Sequence, residues 1–400
     1  MGRSLSRFSK LGPLKIFHQK RRKFCVIYNC SCPINSDLES IYLTAFFDFL
    51  HYLCALMVDV YIFNPEHDLA LAHGEHNYTA PPFARQFRRD LRLLPAWVAP
   101  AGSYIAVPDD APIEEDHRWL SDRHLDVTPI AISQIADMGP CRIHPWGWDA
   151  TLRHQLLHLG VLPEYLPTDE QLDWIRRLSH RRTTIAVHQA LGGAFSPCPV
   201  ELTSVDDVTA FMNSHPGCYL KMPWSGSGKG IYRVIDPNGD NHVPRWIEGA
   251  LRRQGSLLCE VGLDRVQDFA VECECRDSKT ALTGYSVFDS DFHSQFGTGI
   301  VAPMQELHQL LLQQYPTLDQ IINNVLNALD AIIAPHYDGP LGIDMMFYLD
   351  SDGNIALNPC VEINLRMTMG MVTAAMGSRH NLRGHFKIEN TPTGYQSTLL

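Results

Sequence analysis

The 400-residue sequence lacks several patterns that would assign it to a common class of protein. Its eleven cysteines include no CxxC pair, and no GxSxG motif occurs, which argues against a structural zinc site and a serine hydrolase. No low-complexity tract or internal repeat is present. The formal net charge of −11 argues against a protein that coats nucleic acid.

The remaining composition is that of a globular protein. Hydrophobic residues make up 45% and charged residues 19%, in a chain long enough for two or three domains. An odd number of cysteines scattered through apolar segments is typical of buried thiols in a reducing compartment. We therefore expect a cytoplasmic protein.

The first 56 residues differ in composition from the rest. They contain eight Lys and Arg against three acids, and the apolar stretch 41–56 is interrupted by Asp48 and His51. A basic segment before an apolar one resembles a signal or an anchor, but no small-residue cleavage site is clear. Met57 stands directly before a strand-like run, so the preferred hypothesis is a native start at Met57. A membrane-associated segment and a helical lead-in stay open as alternatives.

Residues 57–160 alternate strand-like and helix-like stretches, as an α/β layer does. The buried-strand run 58–63 ends in the polar segment 64–68, Asn-Pro-Glu-His-Asp. Open α/β sheets bind ligands at the carboxyl ends of their strands, so this segment could hold a substrate. A capped turn is the equal alternative. Farther along, Asp149 is predicted to cap the helix that follows it.

A glycine-rich turn lies between two short strands at residues 221–230, Lys-Met-Pro-Trp-Ser-Gly-Ser-Gly-Lys-Gly. Such a loop offers backbone N–H groups to a phosphate, and Lys221 on the entering strand adds a positive charge. It is not a Walker sequence, because its second lysine is not followed by Ser or Thr. The alternative is an ordinary hairpin turn.

A second hairpin is predicted at residues 342–366, with a turn rich in Asp and Gly. Alternate strand residues share a face, so Glu362, Asn364 and Arg366 point the same way and Asp344 comes beside them. Carboxylate and amide oxygens suit a hard cation such as Mg²⁺, and the guanidinium suits a phosphate. The alternative is a solvated hairpin with scattered polar residues.

The order of three elements resembles the ATP-grasp superfamily of ligases: Lys221 with its glycine hairpin, the segment 258–263 with Asp268, and Asp344 with 362–366. The resemblance covers residues 175–375, about half of the chain. It implies an α/β (α+β) protein, in which an N-terminal α/β domain precedes an ATP-grasp fold of two α+β subdomains clasping the nucleotide. The expected limits are an extension at 1–56, an N-terminal domain at 57–165, an ATP-grasp domain at 166–378 with a glycine-rich subdomain at about 183–260, and a polar tail at 379–400.

The resemblance also implies a role for each matching residue. Arg181 and Lys221 contact the nucleotide phosphates, although arginine is a less usual choice at 181 and Arg182 is an alternative. The glycine-rich flap over the phosphates is formed by Ser225, Gly226, Ser227 and Gly228. Adenine and ribose are received by Glu260, Val261, Leu263 and Asp268. The Mg²⁺ ligands are Asp344, Glu362 and Asn364, with a spacing of Asp344 and Glu362 longer than in many members.

Arg366 and Lys221 are the implied catalytic residues, which neutralise developing charge on the phosphates. The implied activity is an ATP- and Mg²⁺-dependent ligase, with Mn²⁺ as an alternative ion. It activates a small-molecule carboxylic acid as an acyl-phosphate for attack by an amine or other nucleophile. No nucleic acid partner is implied, and membrane association only through residues 41–56. A non-catalytic ATP-binding or sensing module is the alternative, and the acceptor, the nucleophile and the oligomeric state are left open.

Overall fold

The computed structural model describes residues 57–192, 195–226, 230–236, 242–290 and 296–400. The expectations for residues 1–56 and for the flap residues Ser227 and Gly228 lie outside this set. Within it, no helix combines the length and the apolar character needed to cross a membrane. Seven cysteines are described, all of them free thiols, and only Cys198 is exposed.

The chain first builds a parallel sheet from β1 (Val58–Ile62), β2 (Tyr104–Val107), β3 (Thr128–Ala131) and β4 (Cys141–Pro145). The spatial order is β3-β2-β1-β4, so β1 lies inside the sheet and its Val60 and Ile62 are almost fully buried. The helices of this layer are α1 (His67–His73), α2 (Pro82–Asp90), α3 (Ile113–Asp122) and α4 (Ala150–His158). Short 3₁₀ turns occur at Leu94–Trp97, Ile132–Asp137 and Pro163–Tyr165.

Asp149 caps α4 as predicted, because its Oδ1 accepts a hydrogen bond of 2.9 Å from the N–H of Leu152. Two further helices, α5 (Asp169–Leu178) and α6 (Arg182–Ala190), lead out of this layer. The first begins at a capping box between Thr168 and Gln171.

The glycine-rich unit contains a small antiparallel sheet. Its elements are β5 (Val200–Leu202), α7 (Val205–Ser214), β6 (Tyr219–Lys221), β7 (Ile231–Arg233), α8 (Val243–Gln254) and β8 (Leu257–Glu260). The spatial order is β5-β8-β6-β7. Val208, Leu220, Ile247 and Leu257 are almost fully buried between the helices and the sheet. The predicted pairing of two strands around the glycine turn is confirmed, since Lys221 faces Ile231.

A seven-stranded antiparallel sheet completes the chain. It contains β9 (Asp264–Arg276), β10 (Lys279–Ser290), β11 (Phe296–Val301), β12 (Gly339–Leu349), β13 (Ile355–Asn364), β14 (Gly384–Thr391) and β15 (Gly394–Leu399), in the order β13-β12-β9-β10-β11-β14-β15. Its helices are α9 (Met304–Gln314), α10 (Leu318–Ile332) and α11 (Met369–Ser378). Phe269, Phe347 and Val325 are fully buried in the shared core.

The fold class expected from the sequence is confirmed, since a parallel α/β layer precedes two antiparallel sheets with their own helices. The polar tail expected at 379–400 is wrong. Strands β14 and β15 continue the large sheet from the edge of β11. Only Phe386 is buried among their residues, so these strands show little of the apolar pattern by which a sequence predicts a strand. The other domain limits stay predictions.

Candidate functional site

The hairpin of β12 and β13 places two carboxylates directly across from each other. Asp344 pairs with Glu362 in the register of the two strands, and Gly342 pairs with Asn364. The side-chain amide of Asn364 donates a hydrogen bond of 3.3 Å to Asp344 Oδ2. The structure therefore brings together the three residues that the sequence predicts as magnesium ligands.

The electrostatics of this pair fit a divalent cation. Burial raises the pKa of Asp344 well above its usual value, and the neighbouring carboxylate of Glu362 raises it further. A bound cation would relieve this repulsion, and two carboxylates with an amide oxygen are suitable donors for Mg²⁺. No group of three or more His, Cys, Asp or Glu that could hold a metal occurs in the part of the chain that the structure describes. An ion at this site would therefore complete its coordination shell with phosphate oxygens and water.

Arg181 connects this carboxylate pair to the glycine turn. It is buried just before α6, where Nη1 donates to Ser225 Oγ at 2.6 Å and to the carbonyl of Met222 at 2.8 Å. Its Nη2 donates to Glu362 Oε1 at 2.6 Å. Arg182, the alternative left open by the sequence, has a side chain that is 58% exposed and lies 3.4 Å from Glu201. The geometry thus places Arg181 at the site.

Arg366 pairs with a residue that the sequence could not connect to it. Its Nε lies 3.1 Å and its Nη2 3.0 Å from Asp68 Oδ2, although the two residues are 298 positions apart. Burial is the largest single influence and raises the pKa of Asp68, but the charges of Arg366, His67 and Arg181 and the hydrogen bond from Arg366 together lower it below its usual value. The carboxyl end of β1 and the end of β13 therefore meet at one ion pair.

The polar segment 64–68 divides into two parts. Asn64 and His67 are buried supports: Asn64 Nδ2 donates to the carbonyl of Gly147 at 2.7 Å, and the ring of His67 fills the space next to Gly147. The side-chain contacts of these two residues are therefore to a distant segment, and no side chain caps the start of α1. Glu66 and Asp68 instead line a cleft, and Glu66 accepts a hydrogen bond of 2.9 Å from Arg88. A role of Glu66 and Asp68 in holding a substrate stays a prediction.

The cleft has a volume of ≈ 470 Å³, within the range of small-molecule sites. Six residues to which the ATP-grasp resemblance gives a role line it: Arg181, Gly226, Asp344, Glu362, Asn364 and Arg366. Glu272, Ser286 and Thr368 also line the cleft, although the sequence did not predict them there. One signal for Glu272 was available, since it is a charged residue at an alternating position of the apolar strand β9.

The predicted adenine and ribose residues lie apart from the lining of this cleft. Lys221 Nζ forms an ion pair of 2.6 Å with Glu260 Oε2, between the neighbouring strands β6 and β8. Val261 and Leu263 are partly buried in the link from β8 to β9. Asp268 accepts a hydrogen bond of 2.9 Å from Arg265 on β9. These residues thus gather where the small sheet passes into the large one.

Comparison with known proteins finds solved structures only, since no family model and no curated protein matches the chain. An N5-carboxyaminoimidazole synthetase from Staphylococcus aureus complexed with ADP is 12% identical, with a TM-score of 0.44 over 78% of this chain and 71% of that chain. A biotin carboxylase complex with β,γ-ATP from Campylobacter jejuni is 13% identical, with a TM-score of 0.47 over 83% and 75%. A carboxyaminoimidazole ribonucleotide synthase from Aspergillus clavatus complexed with ATP is 12% identical, with a TM-score of 0.42 over 84% and 82%.

These three structures are 12% to 13% identical to this chain, and all of their TM-scores are below 0.5. At such identities and TM-scores the similarities concern the course of the chain alone. The chemistry of the site rests on its own residues.

Proposed function

We propose that the protein is an ATP- and Mg²⁺-dependent ligase, which activates a carboxylic acid as an acyl-phosphate for attack by an amine or another nucleophile. The observation that carries this proposal is the meeting of Asp344, Glu362, Arg181 and Arg366 in one cleft. Opposed carboxylates suit a divalent cation, and buried guanidinium groups suit phosphate oxygens. Such a combination serves phosphoryl transfer, which depends mainly on positioning and on charge neutralisation.

In this proposal Asp344, Glu362 and Asn364 hold Mg²⁺, which when bound would neutralise charge on the phosphates of ATP. Arg181 and Arg366 bind phosphate oxygens from two sides of the cleft. Each arginine has five N–H donors and can keep a protein contact while it binds a phosphate. Lys221 serves as a further cation from the side of the small sheet.

The nucleotide base and ribose are assigned to the junction of the two antiparallel sheets. There Glu260 and the backbone of Val261 and Leu263 receive adenine, and Asp268 the ribose. Ser225 and Gly226 begin the flap over the phosphates, and Arg181 already anchors this flap through Ser225 Oγ. These assignments rest on the motifs together with the positions of the residues.

The reaction has two steps. The γ-phosphoryl group moves to an oxygen of the acceptor carboxylate, which gives ADP and the acyl-phosphate. The nucleophile then attacks the acyl carbon, and phosphate leaves. The chain contributes orientation and a cationic environment, and it needs no covalent nucleophile of its own.

Phosphorus NMR of the full chain with Mg·ATP and a pooled set of carboxylic acids and amines tests the proposal. ADP and phosphate are expected only when the pool is present. Glu362→Gln should abolish the Mg²⁺-dependent turnover, whereas Asp352→Asn, in the exposed turn of the same hairpin, should retain it. Nucleotide binding without turnover would favour a non-catalytic ATP-binding module, and unchanged turnover in Glu362→Gln would refute the role of Glu362.

A further inference from the structure

Glu272 is a buried carboxylate that the proposed reaction does not use. It lies on β9 with 1% of its surface exposed, and it lines the cleft. Ser286 Oγ donates a hydrogen bond of 2.9 Å to its Oε1, and Thr368 Oγ1 donates one of 2.9 Å to its Oε2. Both oxygens are therefore held in fixed positions.

Two glycines pack their backbone closely against the Glu272 carboxylate. A Cβ atom at Gly370 would overlap Glu272 Oε1, and one at Gly342 would lie 2.9 Å from Oε2. Thr368 is oriented as well, because its Oγ1 accepts the N–H of Met371 at the start of α11 and so directs its own proton to Glu272. Two glycines and two hydroxyl donors thus fix the position of the Glu272 carboxylate.

These surroundings stabilise the ionised form of Glu272 poorly. Among the described residues, no Lys, Arg or His forms an ion pair with Glu272. Burial raises its pKa to about 7, and the two hydroxyl hydrogen bonds and the charge of Arg366 lower it only in part. A buried carboxylate without a cationic partner is costly to the fold. Its position in a ligand cleft indicates a ligand that supplies the missing cation.

The neighbouring wall of the cleft is apolar and aromatic. Met369 lies between Thr368 and Gly370 in the chain, and it lines the cleft together with Phe83, Phe87 and Tyr395. The rings of Phe87 and Tyr395 meet edge to face at 4.9 Å between centroids. Phe83 is 40% exposed, although it is a large hydrophobic residue. An apolar ligand group would cover it and gain the free energy of burial.

We propose that the acceptor is an amino acid with an apolar or aromatic side chain, whose ammonium group is bound by Glu272. Its carboxylate then lies toward Arg366, and its side chain lies against Phe83, Phe87 and Tyr395. The inference rests on the proposed function, because that function places the nucleotide on the side of Arg181 and leaves this part of the cleft to the acceptor.

Calorimetric binding to the full chain tests the inference without any turnover. The probes are L-phenylalanine and L-leucine, each compared with its amine-free counterpart, 3-phenylpropanoate or 4-methylpentanoate, and glycine serves as the probe without a side chain. We expect the amino acids to bind at least about tenfold more tightly than the amine-free acids, since a charge-assisted pair to a buried carboxylate is strong. Glycine should bind more weakly than either.

Glu272→Gln should remove this preference, and Glu274→Gln, the same change on the same strand outside the cleft lining, should retain it. Equal binding of amino acids and amine-free acids by the wild type, or no binding of the amino acids, would overturn the inference even if the Glu272 variant failed to fold. A Glu272→Gln variant that still bound the amino acids more tightly than the amine-free acids would also overturn the inference. ADP formation with amine-free acids at equal rates would overturn the inference and leave the ligase intact. Preferential binding of the amino acids without ADP formation would support the binding site and contradict the ligase activity.

Discussion

The ion pair of Asp68 and Arg366 provides a test of how the first layer is held to the large sheet. The two side chains are 18% and 16% exposed, and they join α1 to the end of β13. Replacing Asp68 by Asn keeps the shape of the side chain and removes its charge. Arg366 is then left partly buried without its carboxylate, and removal of one partner from a buried pair costs about 3 kcal/mol of unfolding free energy.

Urea unfolding at neutral pH measures this loss, and a double-mutant cycle with Arg366→Met isolates the coupling. We expect the Asp68→Asn change to cost about 3 kcal/mol in the wild type and clearly less in the Arg366→Met background, where no unpaired charge remains. The control is Asp110→Asn. Asp110 pairs with Arg89 at 2.8 Å on an exposed surface, so its loss should cost less than about 1 kcal/mol.

The pH dependence of the same pair has a definite sign. Burial raises the pKa of Asp68, but Arg366, His67 and Arg181 together outweigh burial, so the folded-state pKa lies below the usual value of 3.8. The stabilisation is therefore complete above pH 3.8 and is lost as the pH falls through the folded-state value. The difference between wild type and Asp68→Asn should persist at pH 5 and shrink at lower pH. An equal cost of the Asp68 and Asp110 changes, or an unchanged cost in the Arg366→Met background, would refute the reasoning.

Three further predictions concern the cleft and the small sheet. Burial raises the pKa of Glu272 from 4.5 to about 7 in the folded state, so the wild type loses up to about 3 kcal/mol of unfolding free energy as the pH rises through this window. In urea unfolding, Glu272→Gln should therefore be more stable than the wild type at pH 8 but not below pH 4.5. Gly370→Ala should cost about 3 kcal/mol through overlap with Glu272, whereas Gly249→Ala in α8, whose nearest contact is the end of Arg253 at 3.4 Å, should stabilise by about 0.5 kcal/mol in the same assay. Lys221→Met should weaken Mg·ATP binding about tenfold or more by calorimetry, and an unchanged Kd would contradict its role.

The parts of the fold that the sequence predicts well are those with a local signal. The hairpin at 342–366 combines period-two alternation with a turn rich in Asp and Gly, and its register then places Asp344 across from Glu362. Helix α4 has its cap at Asp149, and the small sheet has its glycine turn. In each case the residues that determine the structure lie close together in the chain.

The parts that the sequence does not predict depend on distant contacts. Nothing near Asp68 indicates that its partner is Arg366, because the pair exists only once the first layer and the large sheet have assembled. Strand β15 is held partly by Asp90, whose Oδ2 accepts the N–H of Tyr395. Such a strand at a sheet edge needs few apolar residues, so its pattern resembles that of a polar tail.

The charge arrangement of the cleft links the fold to the proposed reaction. Arg181 is paired with Glu362 at 2.6 Å, and Arg366 is paired with Asp68. These pairs keep strong charges neutral in a partly buried site, where unpaired charges would be costly. Binding of Mg·ATP would exchange the contact of Arg181 with Glu362 for two others, from Glu362 to the ion and from Arg181 to a phosphate. Because folding has already removed both groups from most of their water, little further desolvation would oppose this exchange, and the same residues can stabilise the cleft with and without the nucleotide.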